Sequence, residues 1–226
     1  MLFTPWTILI LAAFGLSVWA SFRVKGTFNK FSDVPVESGL TGYDVARRIL
    51  DDNGLYDVPV EAVRGALTDH YDPVARVVRL SEPVYYERSI SAVSVAAHEV
   101  GHAIQHKVHY PMLVARHKIF PIVNFSSGIA PFLLLGGFFF KISGLILIGI
   151  LLFSAAVAFQ LITLPVEFNA SSRARDLMIS SGFIRNHEEK GVSKVLGAAA
   201  LTYVAAALIS VLQLLEYIWI FNRSDD

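Results

Sequence analysis

Four long stretches of this chain carry no charged side chain: residues 1–22, 119–140, 142–166 and 195–215, which are 22, 22, 25 and 21 residues long. A helix needs about 20 apolar residues to cross about 30 Å of hydrocarbon, where every backbone polar group must be satisfied inside the protein. One such stretch could be a buried core helix, but four in 226 residues exclude a soluble fold. The pattern predicts a mainly α membrane protein with transmembrane helices over about 4–22, 119–138, 143–164 and 196–220. The second and third form a tight hairpin whose turn holds Gly136, Gly137, Lys141 and Gly144. Charged residues make up only 17% of the chain, where soluble domains have about 25%.

Basic and acidic residues balance at 19 each, so no global positive field exists to attract nucleic acid. The absence of cysteine rules out disulfides, thiolate zinc ligands and iron–sulfur clusters. Distribution is more informative than the total. Segments 23–118 and 167–194 hold 17 of the 19 basic residues, leaving Lys141 and Arg223 elsewhere. By the positive-inside rule both segments face the cytoplasm. The first apolar stretch has no basic residue before it, and Arg23, Lys25 and Lys30 follow it, as in an uncleaved anchor rather than a signal peptide. The expected order is an anchor (1–22), a cytoplasmic catalytic region (23–118), a membrane hairpin (119–165), a second cytoplasmic segment (166–195), and a last span with a short outer tail (196–226).

Within the first polar region, residues 41–52 read as an amphipathic helix. Thr41 and Asp44 form a capping box, Val45, Ile49 and Leu50 form the apolar stripe, and Asn53-Gly54 ends it. Alternating segments 57–64 and 74–80 read as short strands of a small β-sheet, with Asp69–Pro73 between them as a turn. Residues 89–107 carry a continuous helical pattern, and no internal repeat is present.

That helix contains His98-Glu99-Val100-Gly101-His102. Histidines at i and i+4 project from one helix face and can hold one zinc ion, while the intervening glutamate can serve as general base toward a zinc-activated water. Ala97, Gly101 and Ala103 are small enough for this helix to pack closely against whatever brings the third ligand. The long metzincin pattern needs Gly at 105 and His at 108, and these positions hold Gln105 and Val108. His106 lies about 6 Å further along the axis than His102 and reads as a cleft or surface histidine. His109 and His117 read as interfacial residues near the membrane entry. Glu167, just past the third span and at the start of a helical pattern, would complete a His₂Glu set with a fourth position open, as catalytic zinc requires. The plainer reading of Glu167 is a helix-start charge.

The phrases SGLTGYDVARRIL, LTDHYDP, LSEPVY, SISAVSVAAHEVGHAIQH and LPVEFNASSRA, spread over residues 38–174, make the chain recognisable. It resembles the bacterial YugP-like membrane proteases, neutral zinc metallopeptidases similar to the HtpX and CAAX-prenyl endopeptidase gluzincins. The resemblance implies a zinc endopeptidase of the bacterial plasma membrane with His98, His102 and Glu167 as ligands and Glu99 as base. Its substrates would be membrane proteins or peptides. HtpX-type enzymes carry an acidic residue four positions after the ligand glutamate, where this chain has Ser171. Either Asn169 or Asp176 is then left to orient a zinc-bound histidine.

In gluzincins an edge strand upstream of the zinc helix binds substrate by strand addition. Residues 76–80 fit that strand, with His70 or Tyr71 donating to the oxyanion. The alternative is that Asp72-Pro73 makes a turn and its neighbours are solvated. Arg173 and Arg175 are either substrate contacts or anchors flanking the third span. Glu216 reads as a snorkelling carboxylate near the outer end of the last span. A second function class, a non-proteolytic membrane adaptor with a structural or vestigial zinc site, is disfavoured by Glu99, since a structural site has no use for a base.

Overall fold

The computed structural model describes residues 5–224. The expected start of the first span at residue 4 and the last two residues of the tail lie outside the described residues. The elements in chain order are α1 (Pro5–Ser32), α2 (Gly42–Asp52), β1 (Val60–Val63), β2 (His70–Asp72), β3 (Val77–Ser81), α3 (Glu82–Tyr86), α4 (Ile90–Lys107), α5 (Pro111–Phe140), α6 (Ser143–Ser180) and α7 (Glu189–Ser224). They form two compact units. One contains the chain as far as Trp19, Pro111–Pro165 and the chain from Thr202; the other contains Ala20–Tyr110 and Val166–Leu201.

The first unit is built from the four helices long and apolar enough to cross a bilayer: α1, α5, α6 and α7. Large apolar side chains face outward, with Phe132 75% and Phe139 81% exposed. That surface is stable only in lipid, and the protein is a multi-pass membrane protein. Inside, Leu134, Ile146 and Ile150 pack with Phe138, Leu214 and Tyr217. A Cβ on Gly137 would stand 2.8 Å from the Ile146 backbone nitrogen, so glycine lets the hairpin close tightly.

Helices outrun the apolar stretches that predicted them. α1 continues to Ser32, and α6 runs through Pro165 to Ser180 without a break. Glu167 therefore sits inside a long helix, not at the start of a new one. Hydropathy registers only the lipid-facing part of such a helix. Beyond it, each added residue gains a backbone hydrogen bond, and Phe28, Ala174, Met178, Val192 and Leu196 anchor the extensions in the core of the second unit.

In the second unit, α2 has the expected capping box: Asp44 N–H donates to Thr41 Oγ1 at 3.1 Å, and Thr41 N–H donates to Asp44 Oδ2 at 2.9 Å. Its stripe of Val45, Ile49 and Leu50 is fully buried against α4 and α3. The sheet has the order β1-β3-β2, with β1 parallel and β2 antiparallel to β3. Both predicted strands are shorter than their alternating patterns, and Asp69–Pro73 is not a turn. Residues 70–72 pair with β3, and the turn falls at 73–76, where Asp72 Oδ1 accepts from the backbone of Val74 at 2.9 Å and Ala75 at 3.0 Å. Asp-Pro opens the turn instead of filling it. As the central strand, β3 is paired on both sides, so residues 76–80 offer no edge for strand addition; the outer strands are β1 and β2.

Gly42 shows how tightly this unit packs. Alanine is preferred to glycine in helices by about 1 kcal/mol, but a Cβ at Gly42 would stand 2.0 Å from the Val84 carbonyl oxygen. Gly42→Ala is therefore expected to destabilise the protein by about 1–3 kcal/mol. A raised unfolding temperature in detergent would show that propensity outweighs this contact.

Candidate metal centre

α4 is held in place before any metal is considered. Ser89 caps it by accepting from Ala92 N–H at 3.2 Å, and Ser91 Oγ donates to the Phe28 carbonyl of α1 at 2.7 Å. Gly101 faces α6, where a Cβ would stand 2.7 Å from the Ala170 carbonyl oxygen and 3.2 Å from its Cα. The glycine inside the histidine motif thus sets the approach of α4 to α6, and the small residue anticipated from sequence has this role. That approach carries Glu167, one helical turn before Ser171, to the two histidines.

His98 and His102 rings are 4.8 Å apart and nearly perpendicular. Glu167 Oε2 stands 3.4 Å from His98 Nε2 and 3.5 Å from His102 Nε2. Donors on a tetrahedral zinc ion with bonds of about 2.0–2.1 Å stand about 3.3–3.4 Å from one another. The two carboxylate–imidazole spacings therefore match zinc, and the chemistry of the three side chains is that of a His₂Glu set with one position to spare. One ligand atom from each lies within 4.8 Å of the others, and Glu167 is 3% exposed.

The surroundings determine which imidazole nitrogen faces the cluster. Gln105 is completely buried. Its amide nitrogen donates to the Val166 carbonyl at 2.8 Å and to Asn169 Oδ1 at 3.0 Å, leaving its oxygen 3.0 Å from His102 Nδ1. A carbonyl can only accept, so Val166 sets the orientation of the Gln105 amide. Gln105 Oε1 must then accept from a protonated Nδ1, and the lone pair of His102 Nε2 is left for a metal. Ser171 Oγ lies 3.2 Å from His98 Nδ1 and orients the other ring.

These contacts revise the expected supporting residues. Ser171 itself reaches His98, Asn169 reaches His102 through Gln105, and Asp176 lies beside Arg175 at 3.5 Å. In the sequence Gln105 serves only to exclude the metzincin pattern. Its placement three residues after His102 on the same helix face was the available signal. Gln105→Leu is expected to weaken zinc affinity about 10–100-fold, as loss of a ligand-orienting bond does elsewhere. Titration against a competing chelator reads the change, and an unaltered affinity would deny Gln105 this role.

Charge at the centre favours a cation. Burial pulls the His102 pKa down, but its bond to Glu167 and the charges of Glu99 and Glu167 outweigh that and raise it above the ordinary histidine value. Proton and metal would compete for the same nitrogen, so a metal held here would be released as pH falls. Burial raises the Asp69 carboxyl above its usual range against the pull of hydrogen bonds from Ser81, and the charge of Glu99 adds to the rise. Ser81 donates to Asp69 from its backbone at 2.7 Å and from its hydroxyl at 3.0 Å, fixing the start of β2 beside β3. Glu99 lies between the histidines on α4, 8% exposed and outside the three-ligand cluster.

The remaining candidates have other partners. Tyr71 Oη is 2.8 Å from His106 Nδ1, one turn beyond His102. His70 Nδ1 is 2.8 Å from the Thr68 carbonyl and the residue is exposed. Arg173 Nε donates to Asn169 Oδ1 at 2.8 Å, which ties it to the Gln105 network.

The model of the family described as "Putative neutral zinc metallopeptidase" matches residues 6–222. "Putative membrane protease YugP" of Bacillus subtilis (strain 168) is 67% identical over 218 residues, covering 96% of this chain and 97% of the relative. No solved structure matches the chain.

Proposed function

This chain belongs to the "Putative neutral zinc metallopeptidase" family, and we propose that it is a membrane-embedded zinc endopeptidase working at the cytoplasmic membrane surface. The observation that carries the reading is the convergence of His98, His102 and Glu167, with the carboxylate 3.4 and 3.5 Å from the two imidazoles, beside a buried carboxylate, Glu99, that is not one of the three. When bound there, zinc supplies Lewis acidity, polarising the scissile carbonyl and bringing the pKa of a water down to about 7. Glu99 takes the proton from the attacking water and delivers it to the departing amine. Gln105 and Ser171 keep both imidazoles turned to the cluster, so the geometry is prepared before substrate arrives.

Two considerations support a membrane-surface site. Glu167 directly follows the last uncharged residue of the third stretch, Val166. Lys and Arg are concentrated in the two segments that supply the ligands, which by the positive-inside rule supports a cytoplasmic site. A scissile bond brought there belongs to a membrane protein or to a peptide emerging from the bilayer. The test is metal removal. Purified protein in detergent should cleave an unstructured membrane-derived peptide, lose that activity to a chelator, and regain it with zinc. Cleavage that persists after complete zinc removal would sink the reading.

A further inference from the structure

One helical turn beyond His102, a cavity of about 340 Å³ opens whose walls include Tyr71, Arg76, His106, Lys107 and His109. Among the described residues, no carboxylate lines it. Its polar lining consists of basic and hydrogen-bonding side chains. Burial, and then the charges of Arg76 and His109, hold the His106 pKa below its ordinary value. Lys107 lines one wall while its ammonium donates to the Asn53 and Gly54 carbonyls at the end of α2. Arg76 reaches Asp57 at 2.9 Å, but both side chains are more than half exposed, and such a pair contributes little and exchanges readily.

Two of the five residues hold left-handed backbone: Arg76 at φ +54° and His109 at φ +51°. Arg76 closes the turn between β2 and β3, a position glycine would fill without steric cost. Local backbone energetics therefore do not account for an arginine there; its side chain both pairs with Asp57 and lines the cavity. Position indicates the occupant. His106 is four residues beyond His102, or about 6 Å along the helix axis, and two residues of extended peptide cover about the same distance. Tyr71 comes from β2, an outer strand of the sheet.

We propose that this cavity is the subsite for an acidic side chain of the substrate, about two residues from the scissile bond, with Arg76 as the residue that selects it. The proposal rests on the proteolytic reading above and names the kind of peptide that the site prefers. A Glu or Asp carboxylate can take two parallel hydrogen bonds from the guanidinium, with Tyr71 and His106 beside it as further hydrogen-bonding groups.

The experiment uses full-length zinc-loaded protein in detergent and peptides identical except for Glu or Gln at each position flanking the cleaved bond. At one position, Glu should be preferred by about tenfold in kcat/KM, and Arg76→Gly should bring that ratio close to one. Glycine accepts φ +54° without strain, so this variant keeps the turn. Arg76→Glu should shift preference toward Lys at the same position. Binding of the same peptides to Glu99→Gln protein gives the ratio independently of turnover. A ratio near one in the wild type, or one unchanged by Arg76→Gly, overturns the subsite and leaves proteolysis standing. No cleavage of any peptide overturns the proteolytic reading, and the binding ratio then still decides the cavity. If Arg76→Gly instead weakens attachment to phosphatidylglycerol vesicles while peptide selectivity is unchanged, the occupant is a lipid headgroup and the proposal falls.

Discussion

Glu99→Gln is expected to lower peptide hydrolysis by about 10²–10⁴-fold, the range over which a positioned general base acts, while zinc content and unfolding temperature stay at their wild-type values. The substitution changes almost nothing but basicity. Gln has the shape of Glu, so the α4 packing around position 99 is kept, and the residue is not among the three that meet at the metal position. An amide cannot hold the proton of the attacking water, and so it cannot return one to the leaving amine. Metal analysis and a cleavage assay on the same preparation separate the two function classes considered for this chain. An adaptor with a structural zinc site loses nothing when Glu99 becomes Gln, whereas a protease loses turnover. Equal cleavage by the two proteins would remove Glu99 from the chemistry and the general-base mechanism with it, and cleavage by neither would favour the adaptor. In cells, membrane-protein fragments present with wild type and absent with Glu99→Gln would identify the substrates.

Periodic features were the ones legible in the sequence. The four uncharged stretches located the four long helices, and the Thr41–Asp44 box with its Val45, Ile49 and Leu50 stripe located α2 to within one residue. Helix ends beyond the membrane were not legible, because hydropathy stops at the lipid boundary while the backbone pattern of α1 and α6 does not. The sheet was half legible. Alternation marks β1 and β3, but β2 is only three residues long, too short to alternate detectably, and its Asp-Pro end imitates a turn. Strand order was beyond reach for the same reason: without β2, nothing showed that β3 has a neighbour on each side.

At the site, the difference lies between spacing along one helix and proximity between two. His98, Glu99 and His102 follow from helical geometry alone. Glu167 is 65 residues after His102 in the sequence and could be reached only by elimination and resemblance. The structure adds the reason for its approach, the Gly101–Ala170 contact that no periodicity announces. Gln105 and Ser171 were visible as residues but not as partners, because a hydrogen bond to an imidazole Nδ1 depends on ring orientation and helix separation. The Arg76–His106 cavity is still further from sequence. It joins a hairpin turn, an outer strand and the end of a helix, and only the left-handed backbone at Arg76 and His109 marks it locally.

Glu167→Gln is the same chemical change as Glu99→Gln and is expected to have a different consequence: loss of zinc first, and of activity because of it. Glu167 Oε2 stands within 3.5 Å of both imidazoles and carries the negative charge that a dication needs beside two neutral nitrogen ligands. A neutral amide oxygen is a far weaker donor, and with Glu167 only 3% exposed, water cannot readily take its place. Metal content after dialysis should therefore fall well below that of the wild type. Thermal unfolding gives a second readout. A ligand that binds the folded state at 100 times its Kd stabilises it by about 2.7 kcal/mol, so added zinc should raise the wild-type unfolding temperature and leave Glu167→Gln nearly unmoved. Without metal, Glu167→Gln should unfold at a lower temperature than the wild type, because the buried carboxylate that pairs with His98 and His102 is lost, so the quantity compared is the shift that zinc produces in each protein. Wild-type zinc affinity in Glu167→Gln would mean that the third ligand lies elsewhere. If affinity is lost but cleavage persists, zinc is not required for the chemistry at all. Glu167→Asp sharpens the comparison: it restores the charge but withdraws the oxygen by one methylene. Partial recovery of zinc would then show that charge, as well as position, holds the ion between the two helices.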